Sequence, residues 1–212
     1  MYKELSESIK KYSPSGPELE NIRNRFLAHS FIHSGDNLYG EMYEAWVYEF
    51  LKSWALVCDD VSFFVNKVGV VPQGVLVDGL DYDKNGQILF YEGGLKVAEF
   101  DGLFIFKNRI VFVESSISEL RSYYRRLEDR LVKKRLLLSK FFNTAEVYSL
   151  VVTRPKKRSL VYRSLPHLVL YKLKDPDFSN MKVSRVSEES VLCNSPKLVD
   201  LDSISSLFSS SF

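Results

Sequence analysis

The chain has 212 residues, 45% of them hydrophobic, enough to bury a sizeable core without disulfides or oligomerisation. With 29 Lys and Arg against 27 Asp and Glu, the net charge of +2 excludes a strong field over the whole molecule, so any nucleic-acid affinity must come from local clustering. Cys58 and Cys193 have no Cys or His neighbours at metal-ligand spacing, and no apolar run approaches the roughly 18 residues that span a bilayer; the expectation is a soluble intracellular protein, cytoplasmic or nuclear, with neither a disulfide framework nor a zinc site.

Residues 1–30 place apolar groups at helical spacing, and Ser13-Pro14-Ser15-Gly16-Pro17 predicts a break between two helices, the second running through Phe26. From Tyr39, YGEMYEAWVYEFLKSWALV carries Tyr43, Trp46, Val47, Phe50, Leu51 and Trp54 on one stripe, the pattern of a helix packed on a core. Residues 61–77, 87–91 and 95–106 read as strands. The last of these is expected to run through Asp101, with Val97, Glu99, Leu103 and Ile105 on one face and Phe100, Phe104 and Phe106 on the other. Lys107-Asn108 predicts a tight turn into IVFVE.

From Ser116 the chain reads as a long helix with Leu120, Tyr124, Leu127, Leu131 and Leu138 along one side and strongly basic remaining faces. Ser116 and Glu119 form an S-x-x-E capping box that would start it. VYSLVVTR after Asn143 and HLVLYKL at 167–173 read as strands, separated by the basic loop at 156–158, and the last dozen residues are Ser-rich and expected to fray. This order predicts an α/β fold: a mixed central sheet flanked by helices, with the long helix crossing between two parallel strands. We divide the chain into an N-terminal helical segment (1–38), an α/β core (39–175) and a C-terminal extension (176–212).

The functional signal lies in EFDGLFIFKNRIVFVESS, residues 99–116, which sets Asp101 and Glu114 near the start and end of two neighbouring apolar strands. Carboxylates at the ends of buried strands need protons, cationic partners or a metal ion. A divalent cation explains the pair most economically; ion pairs with Arg or Lys of a neighbouring helix are the structural alternative. In the helix from Tyr39, Glu44 borders the buried stripe and is the third carboxylate, whereas Glu41 and Glu49 are expected to turn toward solvent.

A Glu on an early helix, an Asp opening a strand hairpin, a Glu closing it thirteen residues later, and then a helix and a strand resemble the PD-(D/E)xK nuclease superfamily, over about residues 40–154. The resemblance implies a restriction-endonuclease-like fold and metal-dependent cleavage of DNA or RNA. It implies that Glu44, Asp101 and Glu114, with the main-chain carbonyl of Ser115, hold Mg²⁺ or Mn²⁺. It also allows a protein partner that supplies specificity, and a homodimer. Where the family places Lys two residues after the Glu, this chain has Ser116. A cation from the following helix would substitute, with Arg121 the first choice, and Arg125, Lys133, Lys134, Lys156 and Lys157 would contact the nucleic acid. The alternative is a nuclease-like domain without catalysis that binds nucleic acid or docks a protein.

Other patterns carry less. Asp81 to Glu92 fits the spacing of an EF-hand calcium loop, but Asn85-Gly86 between apolar stretches is a hairpin signature and is preferred. His29 and His33 lie one helical turn apart without a third ligand nearby and are expected to be exposed or capping; His167 has no identifiable role.

Overall fold

A computed structural model describes residues 2–29, 31, 36–65, 78–82, 88–116, 124–155, 167–174, 176 and 178. Helices α1 (Tyr2–Lys11) and α2 (Gly16–Leu27) flank the expected break. Ser15 caps α2: its hydroxyl accepts the Glu18 N–H at 3.4 Å, and the Glu18 carboxylate accepts the Ser15 N–H at 3.4 Å. Helix α3 (Asp36–Val57) follows and buries the whole predicted stripe from Tyr43 to Trp54.

Eight strands and one further helix complete the described fold. They are β1 (Val61–Val65), β2 (Gly79–Tyr82), β3 (Ile88–Glu92), β4 (Leu95–Phe100), β5 (Gly102–Phe106), β6 (Arg109–Ser116), α4 (Tyr124–Phe141), β7 (Val147–Thr153) and β8 (Leu168–Lys172). The main sheet has the order β1-β5-β6-β7-β8. Strands β1, β5 and β6 pair antiparallel, and β6, β7 and β8 pair parallel, with α4 as the crossover between β6 and β7. Lys107 and Asn108 both take positive φ (48° and 60°), which gives the two-residue turn whose twist suits the β5–β6 hairpin.

Helices cover both faces of this sheet. On one side Trp46, Leu51 and Trp54 of α3 pack on Phe104, Phe106, Val111 and Val113, in a core that also takes Leu5 and Ile9 of α1 and Ile22 and Phe26 of α2. On the other, Leu127, Leu131 and Leu138 of α4 pack on Leu103, Ile105, Ile110 and Phe112. The α/β fold with a mixed sheet between helices is therefore as the element order predicts. Among the described residues no helix is long and apolar enough to cross a membrane.

The strand expected to run unbroken through Asp101 is instead two strands in two sheets. β4 belongs to the antiparallel sheet β2-β3-β4, and β5 to the main sheet. The break at Asp101 resets the alternation of side chains, so Phe100 packs on the α4 side with Leu103 and Ile105 rather than with Phe104 and Phe106. At Gly102 the paired strand runs close: a Cβ there would lie 3.3 Å from Val113 Cγ2, so a side chain would need Val113 to shift. Ser116, expected to cap a helix, is the last residue of β6; its capping partner Glu119 lies outside the described residues. Of the strand expected at 61–77, the part beyond Val65 also lies outside them.

Candidate functional site

The antiparallel entry of β5 and the parallel run of β6, β7 and β8 bring the start of β5 and the ends of the other three to one edge of the sheet. Open α/β sheets present ligands at such an edge. Asp101 immediately precedes β5, and Glu114 and Ser115 stand near the end of β6. Oδ2 of Asp101 accepts hydrogen bonds from the Ser115 N–H (2.7 Å) and the Ser115 hydroxyl (3.0 Å), which fix the carboxylate's orientation. Burial pushes the Asp101 carboxyl above the usual range, against the opposing pull of the Lys134 charge and the Ser115 hydrogen bonds. Glu114 is buried one residue before Ser115, and burial together with the Asp101 charge raises its pKa to about 7, although Lys134 and Arg130 favour the ionised form.

Both of those cations come from α4. Because α4 carries the chain back between two parallel strands, its first turns lie near the end of β6, at the site edge. Lys134 Nζ donates to Oε1 of Glu114, and Arg130 Nη2 donates to Oε2 at 3.2 Å. The Lys134 ammonium also stands 5.3 Å from the centroid of the Phe100 ring, and only 9% of its side chain is exposed. Lys134, read from the sequence as a nucleic-acid contact, is thus held in a buried ion pair. Lys133 does face solvent. Arg130 is absent from the candidates read from the sequence; its four-residue spacing from Lys134 is the signal that places both on one face of the helix.

Glu44, half-buried on α3, lines a small cavity together with Asp101, Gly102, Val113 and Ser115. Its volume of about 10 Å³ leaves room for roughly one water-sized sphere. Glu44 and Asp101 are therefore brought to a common space from α3 and the β4–β5 junction, while the Glu114 carboxylate is turned to the cations of α4. Among the described residues, no three His, Cys, Asp or Glu side chains are grouped so as to hold a metal ion. The donors themselves, carboxylates and a main-chain carbonyl, are the oxygen set that suits a hard divalent cation. For Glu114 to join Glu44 and Asp101 in such a set, its Oε2 must exchange the Arg130 contact.

Arg121, Lys156 and Lys157 lie outside the described residues, as do the side chain of Arg125 and the whole of His33. Glu49 differs from expectation. It is buried rather than solvated, because α2 packs over that face of α3, and its carboxylate accepts from Arg25 Nε at 2.8 Å and pairs with His29 Nε2 at 2.9 Å. Burial alone would raise the Glu49 pKa, but the His29 hydrogen bond, the Lys52 charge and the Arg25 hydrogen bond outweigh it and hold it low. At the calcium-like spacing, Asp81 sits in β2 and Glu92 ends β3, with Tyr82 paired to Ile88; the flanks are strands of a hairpin and not the helices of an EF-hand. Glu92 pairs with Lys140 at 3.4 Å.

No protein-family model matches the chain, and no curated protein matches its sequence.

Proposed function

We propose that the protein is a metal-dependent nuclease of the PD-(D/E)xK type, with a restriction-endonuclease-like core, that hydrolyses phosphodiester bonds of DNA or RNA. The observation that carries this reading is the cluster of Asp101, Glu114 and Lys134 at one sheet edge. The hairpin supplies the two carboxylates at the expected spacing, and α4 supplies the ammonium that position 116 lacks. The order α3, β1, β5–β6 hairpin, α4, β7 supports it further.

Glu44, Asp101, Glu114 and the Ser115 carbonyl would hold Mg²⁺ or Mn²⁺, which on binding polarises the phosphate and acidifies a water. Ser115 holds Asp101 in a fixed orientation. Lys134 in place of Arg121 contributes a positive charge in a site largely closed to water, where it acts strongly on charge that develops on the phosphate. The apolar walls of Val47, Leu51 and Phe64 limit the water that reaches Asp101.

Purified protein incubated with Mn²⁺ and single-stranded and duplex DNA and RNA tests the reading. Cleavage lost in Asp101→Asn and in Glu114→Gln supports it; four intact substrates overturn it. Ser116 and the engagement of Glu114 by both α4 cations favour a second reading, a nuclease-like module that binds nucleic acid or a protein without cutting. Its signature is salt-sensitive binding that survives removal of the carboxylates.

A further inference from the structure

The two oxygens of Glu114 have unequal partners. Lys134 is buried and fixed by the Phe100 ring, whereas Arg130 reaches Oε2 through a single nitrogen at 3.2 Å with 53% of its side chain exposed. Arg130 also lies one turn nearer the N-terminal end of α4, and so nearer the site edge and solvent. A half-exposed, one-pronged contact is the weaker of the two. It leaves most of the guanidinium donors for another partner, and a phosphate matches their planar fork.

We propose that Arg130 exchanges ligands during function: in the protein alone it occupies Oε2 of Glu114, and when a divalent cation takes that oxygen the guanidinium turns outward onto a backbone phosphate of the bound strand. This rests on the nuclease-type reading of the same site and adds a coupling, since cation entry frees the group that grips the substrate. Two positive groups cannot share one carboxylate oxygen without repulsion, so cation and arginine compete at Glu114 and cooperate on the nucleic acid.

The two halves have opposite signs in one variant. Calorimetric titration with Mn²⁺ should show Arg130→Ala binding about two- to fivefold tighter than wild type, the loss of a weak competing ion pair. In Ca²⁺, at least one of a fluorescein-labelled DNA duplex and the RNA of the same sequence, followed by anisotropy, should bind Arg130→Ala about tenfold more weakly than wild type, with Arg130→Lys intermediate. A merely structural Arg130 would weaken both. Unchanged or weaker Mn²⁺ binding in Arg130→Ala, or unaltered affinity for both nucleic acids, overturns the exchange while wild-type Mn²⁺ binding still upholds the metal site. Absence of Mn²⁺ binding in the wild type overturns both.

Discussion

Lys134 and Glu114, twenty residues apart, form a buried ion pair across the gap between α4 and β6. With Asp101 and Arg130 they make a cluster of two carboxylates and two cations at a sheet edge, and neither carboxylate is comfortable there: burial raises both pKa values. Arrangements that hold acidic groups against their preference concentrate at functional sites, though structural ion networks do so too.

Removing one partner of a buried pair strands the other. Lys134→Met is expected to cost about 1–3 kcal/mol in urea unfolding, since Arg130 still reaches Glu114, and the double variant Lys134→Met/Glu114→Gln to recover much of that loss, because the carboxylate that faced the ammonium no longer carries a charge. Strictly additive losses would mean that the two side chains do not depend on each other.

Glu114 makes stability fall with rising pH. Its folded pKa of about 7 lies above the ordinary 4.5, so the folded state holds a proton that the unfolded chain releases. That contribution is complete below 4.5 and is lost as pH rises through about 7. Asp101, also raised, acts in the same direction. Thermal melts in EDTA should show a decline across this window that is shallower in Glu114→Gln. Identical slopes in the two proteins would contradict it.

Glu49 serves as an internal contrast. Its pKa is held below the ordinary value, so its contribution is present at neutral pH and lost on acidification. Glu49→Ala is expected to lower stability by about 1–3 kcal/mol by stranding its partners, among them Arg25 and His29, and to leave Mn²⁺ binding as in wild type. Loss of Mn²⁺ binding in this variant would place the metal effect in general destabilisation.

Much of this was legible in residue order. The stripe from Tyr43 to Trp54, the Lys107-Asn108 turn and the parallel strands on either side of α4 follow from periodicity and turn chemistry, which act locally. The bend at Asp101 was not, because apolar residues resume on both sides of it as they would in one strand; the Asp101-Gly102 pair was the local sign. Glu49 looked solvated because its burial depends on where α2 docks, a tertiary fact. At the site, Asp101 and Glu114 were visible as acids among apolar residues. Lys134 was hidden within a basic run, RLVKKR, where only the packing of α4 decides which cation turns inward.

Mn²⁺ titrated calorimetrically into the wild-type chain beside Asp101→Ala decides whether the acidic pair is a metal centre. We expect saturable heat in the wild type that disappears with the Asp101 carboxylate while the variant stays folded by circular dichroism. Equal heats in both proteins, or none in either, would mean that Asp101, Glu114 and Lys134 form an internal ion network and that no divalent cation is held there.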